Sequence, residues 1–248
     1  MVYGKNFLCP GGPKAVDSLF KGVAIAGKNV VDIGSALCGA AQQVASKQPR
    51  HIFCFDMNTH FISAAKKNIA EWGMEDTISV EKVSFDKIPL GNESVDLVYA
   101  REFLVQLPFW LKGALCLEVY RILKPGGLFI ITDWVSLKRD HENVLLSALS
   151  DTETLHMHYT SLDKYIELLT VARFQLLELR EITEEYLRGI SEAHEKILSE
   201  VGDEIVHKFG KPVKMHCEAL CQKYKKVISN NEIGMYYYRL QKPLHKNH

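Results

Sequence analysis

The sequence predicts an α/β fold in which a mostly parallel sheet carries helices on both faces. Two observations predict it. Short apolar, strand-like segments alternate with amphipathic, helix-like segments along the chain, and the first strand runs directly into a glycine-bearing turn and a helix. Residues 28–40, K-N-V-V-D-I-G-S-A-L-C-G-A, carry the second observation. Ligands of open α/β sheets bind at strand ends near the topological switch point, so a binding site is expected at this turn.

Predicted strands of the first half are short runs rich in β-branched and aromatic residues. They are Val30–Ile33, His51–Phe55, Thr77–Phe85, Val95–Ala100 and Leu128–Trp134. Helices are predicted between them from apolar residues at spacings of three and four. They are Lys14–Ala26, Ala40–Lys47, a helix capped by Asn58 that runs through Trp72, and Pro108–Leu123. Glycines and prolines make Tyr3–Pro13 an opening loop.

The second half is less regular. Leu162–Ala172 is predicted as a helix, Phe174–Ile182 as a strand, and Ile233–Leu240 as the closing strand. The stretch Glu184–Val227 is helical, polar-faced and longer than a crossover needs. We therefore predict one domain over residues 1–248, with a helical insertion at 183–231 that forms part of a lid.

Composition excludes several classes of partner. Lys plus Arg and Asp plus Glu number 30 each, so neither a nucleic-acid footprint nor a polybasic membrane patch is predicted. No apolar run reaches membrane-spanning length. The six cysteines form no C-x-x-C pair, which favours reduced thiols and a cytoplasmic location. His216, Cys217 and Cys221 fall on a helix-like stretch without a second ligand pair, so no metal site is predicted.

Two cofactor classes fit the first turn. Gly34, Ala36 and Gly39 keep the spacing of a dinucleotide fingerprint, but alanine stands where the backbone must approach a pyrophosphate. Asp32 would add a carboxylate beside phosphate charges, whereas a cofactor with an ammonium and a sulfonium would tolerate it. Asp56, 22 residues after Gly34, suits the ribose hydroxyls of either class. Purely structural roles stay open: Asp32 would brace the loop, and Asp56 would cap the helix before Asn58.

Four sequence blocks together are similar to class I S-adenosylmethionine-dependent methyltransferases. They are V-V-D-I-G-S, F-D-M-N, S-V-D-L-V-Y-A-R-E and R-I-L-K-P-G-G-L-F-I-I-T-D-W, within residues 14–135, the predicted cofactor-binding half. The resemblance implies S-adenosylmethionine as cofactor. It also implies a Rossmann-like, seven-stranded sheet whose last strand, Ile233–Leu240, is antiparallel.

A narrower resemblance is to the phosphoethanolamine N-methyltransferases, through Y-G-K-N-F-L-C-P-G-G, the helical insertion and N-E-I-G-M-Y-Y-Y-R. It implies an opening loop folded over the cofactor. The implied cofactor contacts are Leu8, Cys9, Asp32, Gly34, Ser35, Asp56, Met57, Ser84, Phe85 and Arg101. Among them, Asp32 and Gly34 would face the amino-acid end of the cofactor and Arg101 its carboxylate. Asp56 would bind the ribose, with Met57 beside the adenine.

The same resemblance implies acceptor-side contacts at Glu102, Gln106, Trp134 and Tyr159. Gln106 occupies the position of the family's catalytic histidine and is our catalytic candidate. Glutamine is no general base near neutral pH, but holding nucleophile, methyl and sulfur in line can supply roughly 7–11 kcal/mol. Glu102 would attract a cationic amine, and each aromatic ring could add about 0.5–2 kcal/mol by cation–π contact.

Departures from the family pattern keep alternatives open. Ala36 and Cys38 replace glycines, and a left-handed backbone at either costs about 1–2 kcal/mol. Phe85 would lie against the adenine, while Ser84 replaces the aspartate that usually accepts the adenine amino group. The leading hypothesis is methyl transfer to a small amine or phosphobase. The alternatives are a carboxylate, hydroxyl or thiol acceptor, and a degenerate methyltransferase-like binding protein with little turnover. The oligomeric state is not predicted.

Overall fold

A computed structural model describes residues 3–138 and 157–244, whose strands form one seven-stranded sheet. The strands are β1 Asn29–Ile33, β2 His51–Asp56, β3 Ile78–Lys82, β4 Val95–Arg101, β5 Leu123–Ser136, β6 Gln175–Glu181 and β7 Ile233–Gln241. Their order is β3-β2-β1-β4-β5-β7-β6. β1 to β5 pair in parallel, and β7 runs antiparallel to both of its neighbours, β5 and β6. The predicted mostly parallel sheet with an antiparallel last strand is confirmed.

Helices connect the strands and cover the sheet. They are α1 Gly12–Leu19, α2 Gly39–Ala45, α3 Thr59–Glu71, α4 Phe109–Ile122, α5 Leu162–Val171, α6 Thr183–Ile197, α7 Glu200–Phe209 and α8 Lys211–Ser229, with a 3₁₀ turn at Leu104–Gln106. Asn58 caps α3 as predicted, because its side-chain oxygen accepts hydrogen bonds from the backbone amides of His60 and Phe61. No helix in the described ranges is both long and apolar enough to cross a bilayer.

Both faces of the sheet are buried, because alternate residues of each strand point to opposite sides. Val30 of β1 joins a core with residues of α1, α2 and α3. Its neighbour Val31 joins a second core with residues of α4 and α5. The predicted placement of helices on both faces is therefore confirmed, and the strand ends are left as the edge where a ligand can enter.

Several predicted boundaries are wrong, mostly where glycines end or divide an element. α1 ends at Leu19 instead of Ala26, ahead of Gly22 and Gly27, which both adopt positive φ. The long helical stretch is three helices, divided at Leu198–Ser199 and at Gly210, whose φ is +88°. β3 ends at Lys82, short of the predicted Phe85. β5 begins at Leu123, which pairs with Val95 of β4, and Gly126 and Gly127 exchange backbone hydrogen bonds with Lys242 instead of forming a free turn.

The insertion packs closely on the opening loop. A Cβ atom placed on Gly189 of α6 would lie 2.7 Å from the backbone nitrogen of Gly11. Such a short distance leaves no room for a side chain at this position. α6 and the opening loop therefore lie in direct contact above the carboxyl ends of the strands.

Candidate active site

A cavity of about 670 Å³ lies at the carboxyl ends of β1, β2, β4 and β5, beneath the opening loop and the insertion. Its volume is in the range of small-molecule sites, roughly 300–1,000 Å³. The lining residues are Tyr3, Leu8, Cys9, Pro10, Gly34, Ala36, Asp56, Met57, Asn58, Phe61, Arg101, Glu102, Phe103, Gln106, Trp134, Met157, Ile190, Ile197, Cys217, Leu220, Cys221 and Tyr224. The cavity thus joins the predicted first-turn site with the predicted lid.

The turn after β1 is tight and strained. Gly34 has φ +71°, and a Cβ atom there would lie 2.1 Å from the ring of Phe103, so glycine is required. Ala36 and Cys38 also adopt left-handed backbone, with φ 46° and 61°. Each therefore carries a cost of about 1–2 kcal/mol. Strain of this kind persists at binding sites when the surrounding structure enforces it.

Asp56 holds this turn in place and also lines the cavity. Its Oδ2 accepts a hydrogen bond of 2.9 Å from the amide of Ala36, and its Oδ1 accepts one of 2.8 Å from the amide of Asn58. Each carboxylate oxygen can accept a further hydrogen bond. The structural and the ligand-binding interpretations of Asp56 are therefore compatible. Met57, which is 39% exposed, follows it on the lining.

Two side chains of opposite charge, Asp32 and Arg101, lie near Gly34. Asp32 is buried just outside the lining, facing Tyr99, Arg101 and Asp56. Burial raises the pKa of Asp32 to about 7. Asp32 Oδ2 and Arg101 Nη2 are both buried, and neither has a hydrogen-bond partner within residues 3–138 and 157–244. Such atoms cost about 1–3 kcal/mol each, so a ligand carrying an ammonium and a carboxylate would stabilise them.

Glu102 is the most constrained acidic residue of the cavity. Its backbone is left-handed, with φ 50°, and its amide donates a 2.7 Å hydrogen bond to the carbonyl of Thr132. The Gln106 side chain donates to the Glu102 carbonyl at 2.9 Å, and the Trp134 indole donates to Glu102 Oε2 at 3.3 Å. Glu102 Oε1 is buried and has no hydrogen bond of good geometry from the described part of the chain, although the Cys9 thiol and the Tyr186 hydroxyl lie beside the carboxyl group. Burial raises the pKa of this carboxyl, against the opposing effect of Arg101.

The opening loop supplies a neutral thiol to the same cluster. Cys9 faces Glu102, and burial together with that carboxylate raises the pKa of its thiol. Leu8, which precedes it, is 48% exposed and lies at the lining. Both predicted loop residues therefore reach the cavity, Cys9 on the side of Glu102.

The insertion contributes an almost wholly apolar wall, which we call the insertion wall. It consists of Ile190, Ile197, Cys217, Leu220, Cys221 and Tyr224. Trp134 joins it to the strand ends, with ring centroids 5.6 Å from Tyr224 and 5.8 Å from Tyr186. This wall continues directly from Glu102, because the Trp134 indole that touches Tyr224 also donates to the Glu102 carboxylate.

Some predicted site residues do not line this cavity. Ser35 is buried behind it, and Ser84 is exposed in the turn that pairs it with Lys87. Phe85 is fully buried and packs at 4.7 Å, edge to face, on Phe103, whose own ring lines the cavity. Tyr159 is buried beside Tyr224. The predicted ligand contacts of these residues stay predictions.

Other lining residues were missed from the sequence. Tyr3 belongs to the block Y-G-K-N-F-L-C-P-G-G and Phe61 to the predicted helix after Asn58, but neither was assigned to the site, and Phe103 belongs to no quoted block. Tyr224 belongs to a signal that was present: Cys217, Leu220, Cys221 and Tyr224 follow the three- and four-residue spacing of one helix face. That spacing marks a buried face but does not say whether it covers the core or a ligand.

The chain is similar to known proteins over most of its length. A family model described as a methyltransferase domain matches residues 25–197. This match includes β1 to β6 and reaches the end of α6. The chain belongs to the methyltransferase domain family. The membership of a methyltransferase family that the sequence indicates is confirmed.

Individual relatives of this chain differ in the reactions that their names give. The phosphoethanolamine N-methyltransferase of Plasmodium falciparum is 23% identical over 84% of the chain and 76% of its own length. A sterol 24-C-methyltransferase of Pneumocystis carinii is 32% identical over 47% of the chain, which spans only 30% of that relative. A solved structure of Haemonchus contortus phosphoethanolamine N-methyltransferase 2 superposes with a TM-score of 0.88 at 20% identity, over 98% of the chain and 55% of its own. That likeness establishes the shared fold.

Proposed function

We propose that this methyltransferase binds S-adenosylmethionine and transfers its methyl group to a small-molecule acceptor, an amine or a phosphobase. The observation that carries the proposal is a pair of buried atoms at the strand ends, Asp32 Oδ2 and Arg101 Nη2, that find no hydrogen-bond partner among the described residues. They complement the ammonium and carboxylate of the cofactor's amino-acid end. The Haemonchus protein of the same fold is described in complex with phosphomonomethylethanolamine and S-adenosylhomocysteine, which supports the choice of ligands.

The remaining cofactor contacts follow from the lining. Asp56 would accept hydrogen bonds from the ribose hydroxyls, Met57 would cover the adenine, and Leu8 and Cys9 would close over the cofactor. The bound cofactor supplies an electrophilic methyl group on a sulfonium. A dinucleotide suits this lining less well, since its two phosphates would face the acids Asp32 and Asp56 with Arg101 as the nearby cation.

On the acceptor side, Glu102 and Trp134 would hold the amine. Gln106 acts in this proposal through Glu102, because its side-chain amide is bonded to the Glu102 carbonyl. Most of the rate enhancement in this proposal comes from holding the acceptor nitrogen, the methyl group and the sulfur in line. Acceptors with a carboxylate, hydroxyl or thiol, and a silent binding role, are the alternative outcomes.

The test has two stages. Calorimetry with S-adenosylhomocysteine should give a dissociation constant below 1 mM, and no binding would contradict the proposal. A radiolabelled-methyl assay would then compare phosphoethanolamine, its methylated forms, glycine and small thiols. Label transfer to an amine supports the proposed reaction. Cofactor binding without transfer to any acceptor favours the silent binder.

We also propose a cytoplasmic location. The six cysteines are all free in the structure, which fits a reducing compartment. Fractionation of cells expressing the full chain, with a thiol-labelling readout, would test this location. Oxidised thiols in native extracts would contradict it.

A further inference from the structure

We infer that the acceptor is an amine carried on an apolar body, such as an alkyl chain, and that it bears no phosphate. The inference rests on the proposed function and narrows its acceptor to one class. It combines three features of the cavity: the apolar insertion wall, the unsatisfied oxygen of Glu102 beside that wall, and the sign of the charges that line the remainder.

The insertion wall determines the body of the acceptor. Ile190 and Ile197 from α6 face the cavity together with Leu220 and Cys221 from α8. Polar groups of a ligand would lose their water against these side chains without gaining hydrogen bonds. A hydrocarbon surface gains by the same contact. The wall therefore selects an acceptor whose surface beyond the amine is apolar.

Glu102 and the rings beside it determine the reacting end. Glu102 Oε1 is buried without a hydrogen-bond partner in residues 3–138 and 157–244, while Oε2 is held by the Trp134 indole. Trp134 and Tyr224 lie 5.6 Å apart, so an ammonium at Oε1 would also approach aromatic rings. A carboxylate with one free oxygen, flanked by aromatic rings, matches the charge of an amine before transfer and of a methylated ammonium after it.

The charges of the lining disfavour a phosphate. Among the described residues, the charged side chains at the cavity surface are Asp56, Arg101 and Glu102, two acids and one base. Arg101 is the partner of the cofactor's carboxylate in the proposed function. A phosphate on the acceptor would then lie in a partly dry site beside Glu102, where like charges repel strongly.

The backbone of Glu102 is held in one conformation by its neighbours. Its left-handed backbone is fixed by two hydrogen bonds, one donated to Thr132 and one accepted from Gln106. The structure thus assigns Gln106 as a positioning residue for Glu102. A preorganised carboxylate gains affinity because little order has to be imposed when the acceptor binds.

The experiment measures binding to the intact chain saturated with S-adenosylhomocysteine, so it does not depend on turnover. The calorimetric probes are hexyltrimethylammonium, tetramethylammonium, phosphocholine and hexanoate. We expect hexyltrimethylammonium to bind at least tenfold more tightly than the other three. Leu220→Ala should weaken the binding of hexyltrimethylammonium severalfold and leave the affinity for tetramethylammonium unchanged. Met215→Ala, on the outer face of the same helix and 58% exposed, is its matched control.

Glu102→Gln should weaken the binding of hexyltrimethylammonium at least tenfold. This loss should exceed any change in the affinity for S-adenosylhomocysteine. Glu195→Gln, on the exposed face of α6, is the control for loss of an acid. Tighter binding of phosphocholine than of hexyltrimethylammonium overturns the inference while leaving the proposed function standing. Equal affinities of the wild-type protein and Glu102→Gln for hexyltrimethylammonium also overturn the inference. Failure of wild-type protein to bind S-adenosylhomocysteine overturns the proposed function and this inference with it.

Discussion

The side-chain amide of Gln106 donates a 2.9 Å hydrogen bond to the backbone carbonyl of Glu102, a residue with φ 50°. Left-handed backbone costs a non-glycine residue about 1–2 kcal/mol, and a neutral hydrogen bond returns roughly 1 kcal/mol. The position that the resemblance gives to a catalytic histidine is therefore occupied by a residue that stabilises the conformation of its neighbouring acid.

Gln106→Ala should accordingly act through Glu102. We expect a stability loss of about 1 kcal/mol, because one partly buried hydrogen bond is removed. We also expect a roughly fivefold drop in kcat/KM for the acceptor, in line with that free energy. The KM for S-adenosylmethionine should change little. Gln222→Ala, at an exposed position of α8, is the control. Equal acceptor kinetics in the two variants would exclude a positioning role for Gln106.

Asp56→Ala should weaken S-adenosylhomocysteine binding at least tenfold, because a carboxylate hydrogen bond to ribose contributes roughly 1.5–3 kcal/mol. Two backbone amides, of Ala36 and Asn58, also lose their acceptor, so the unfolding midpoint should fall. Asp56→Asn separates the effects, since its side-chain oxygen can still accept from one amide. Calorimetry and thermal unfolding on both variants provide the measurement. Unchanged cofactor affinity in Asp56→Ala would leave Asp56 with its structural role alone.

The titration of Asp32 predicts how cofactor binding depends on pH. Burial raises its pKa to about 7 in the free protein, where it faces Tyr99, Arg101 and Asp56. A bound ammonium stabilises the carboxylate, so binding below pH 7 releases a proton. The affinity for S-adenosylhomocysteine should fall as the pH is lowered from 7.5 to 5.5, approaching tenfold per unit. Calorimetry in buffers of different ionisation enthalpy counts the proton. Asp32→Asn should flatten the profile, and a flat wild-type profile would contradict the assignment.

The same titration has an opposite consequence for the unliganded fold. The pKa of Asp32 lies near 7 folded and near 3.9 unfolded, so the native state binds the extra proton between these values. Asp32 therefore destabilises the protein increasingly as the pH rises from 4 through 7. Urea unfolding should show Asp32→Asn gaining stability relative to wild type between pH 5 and pH 8. A constant difference across that range would mean that the pKa of Asp32 is not raised.

The strands were predictable because their pattern is local. Val30, Val31 and Ile33 form a short apolar run, interrupted only by Asp32, that is typical of a strand buried on both faces. The antiparallel direction of β7 was predicted from the family resemblance. The residues of β7 indicate a strand but do not indicate whether it pairs parallel or antiparallel. The break of the insertion at Gly210 was missed, because a single glycine also occurs inside helices.

The candidate site was predictable where it follows the strands and not where it depends on packing between distant segments. Gly34, Asp56, Arg101 and Glu102 end or follow strands that meet at one edge, so their convergence follows from topology. The placement of Tyr224 depends on how the insertion folds back, and no sequence period encodes that.

Gly34→Ala tests the central turn, and Gly73 provides its matched control. Both glycines have positive φ, +71° and +62°, but a Cβ atom on Gly34 would lie 2.1 Å from the ring of Phe103, whereas Gly73 has nothing within 4 Å. Gly73→Ala should cost only the left-handed backbone, about 1–2 kcal/mol. Gly34→Ala should cost about 1–3 kcal/mol more, because Phe103 must move in a packed region. Urea denaturation measures both values. Since Phe103 also lines the cavity, Gly34→Ala should weaken S-adenosylhomocysteine binding while Gly73→Ala leaves it unchanged. Equal costs for the two substitutions would show that the turn and the Phe103 ring are not in contact.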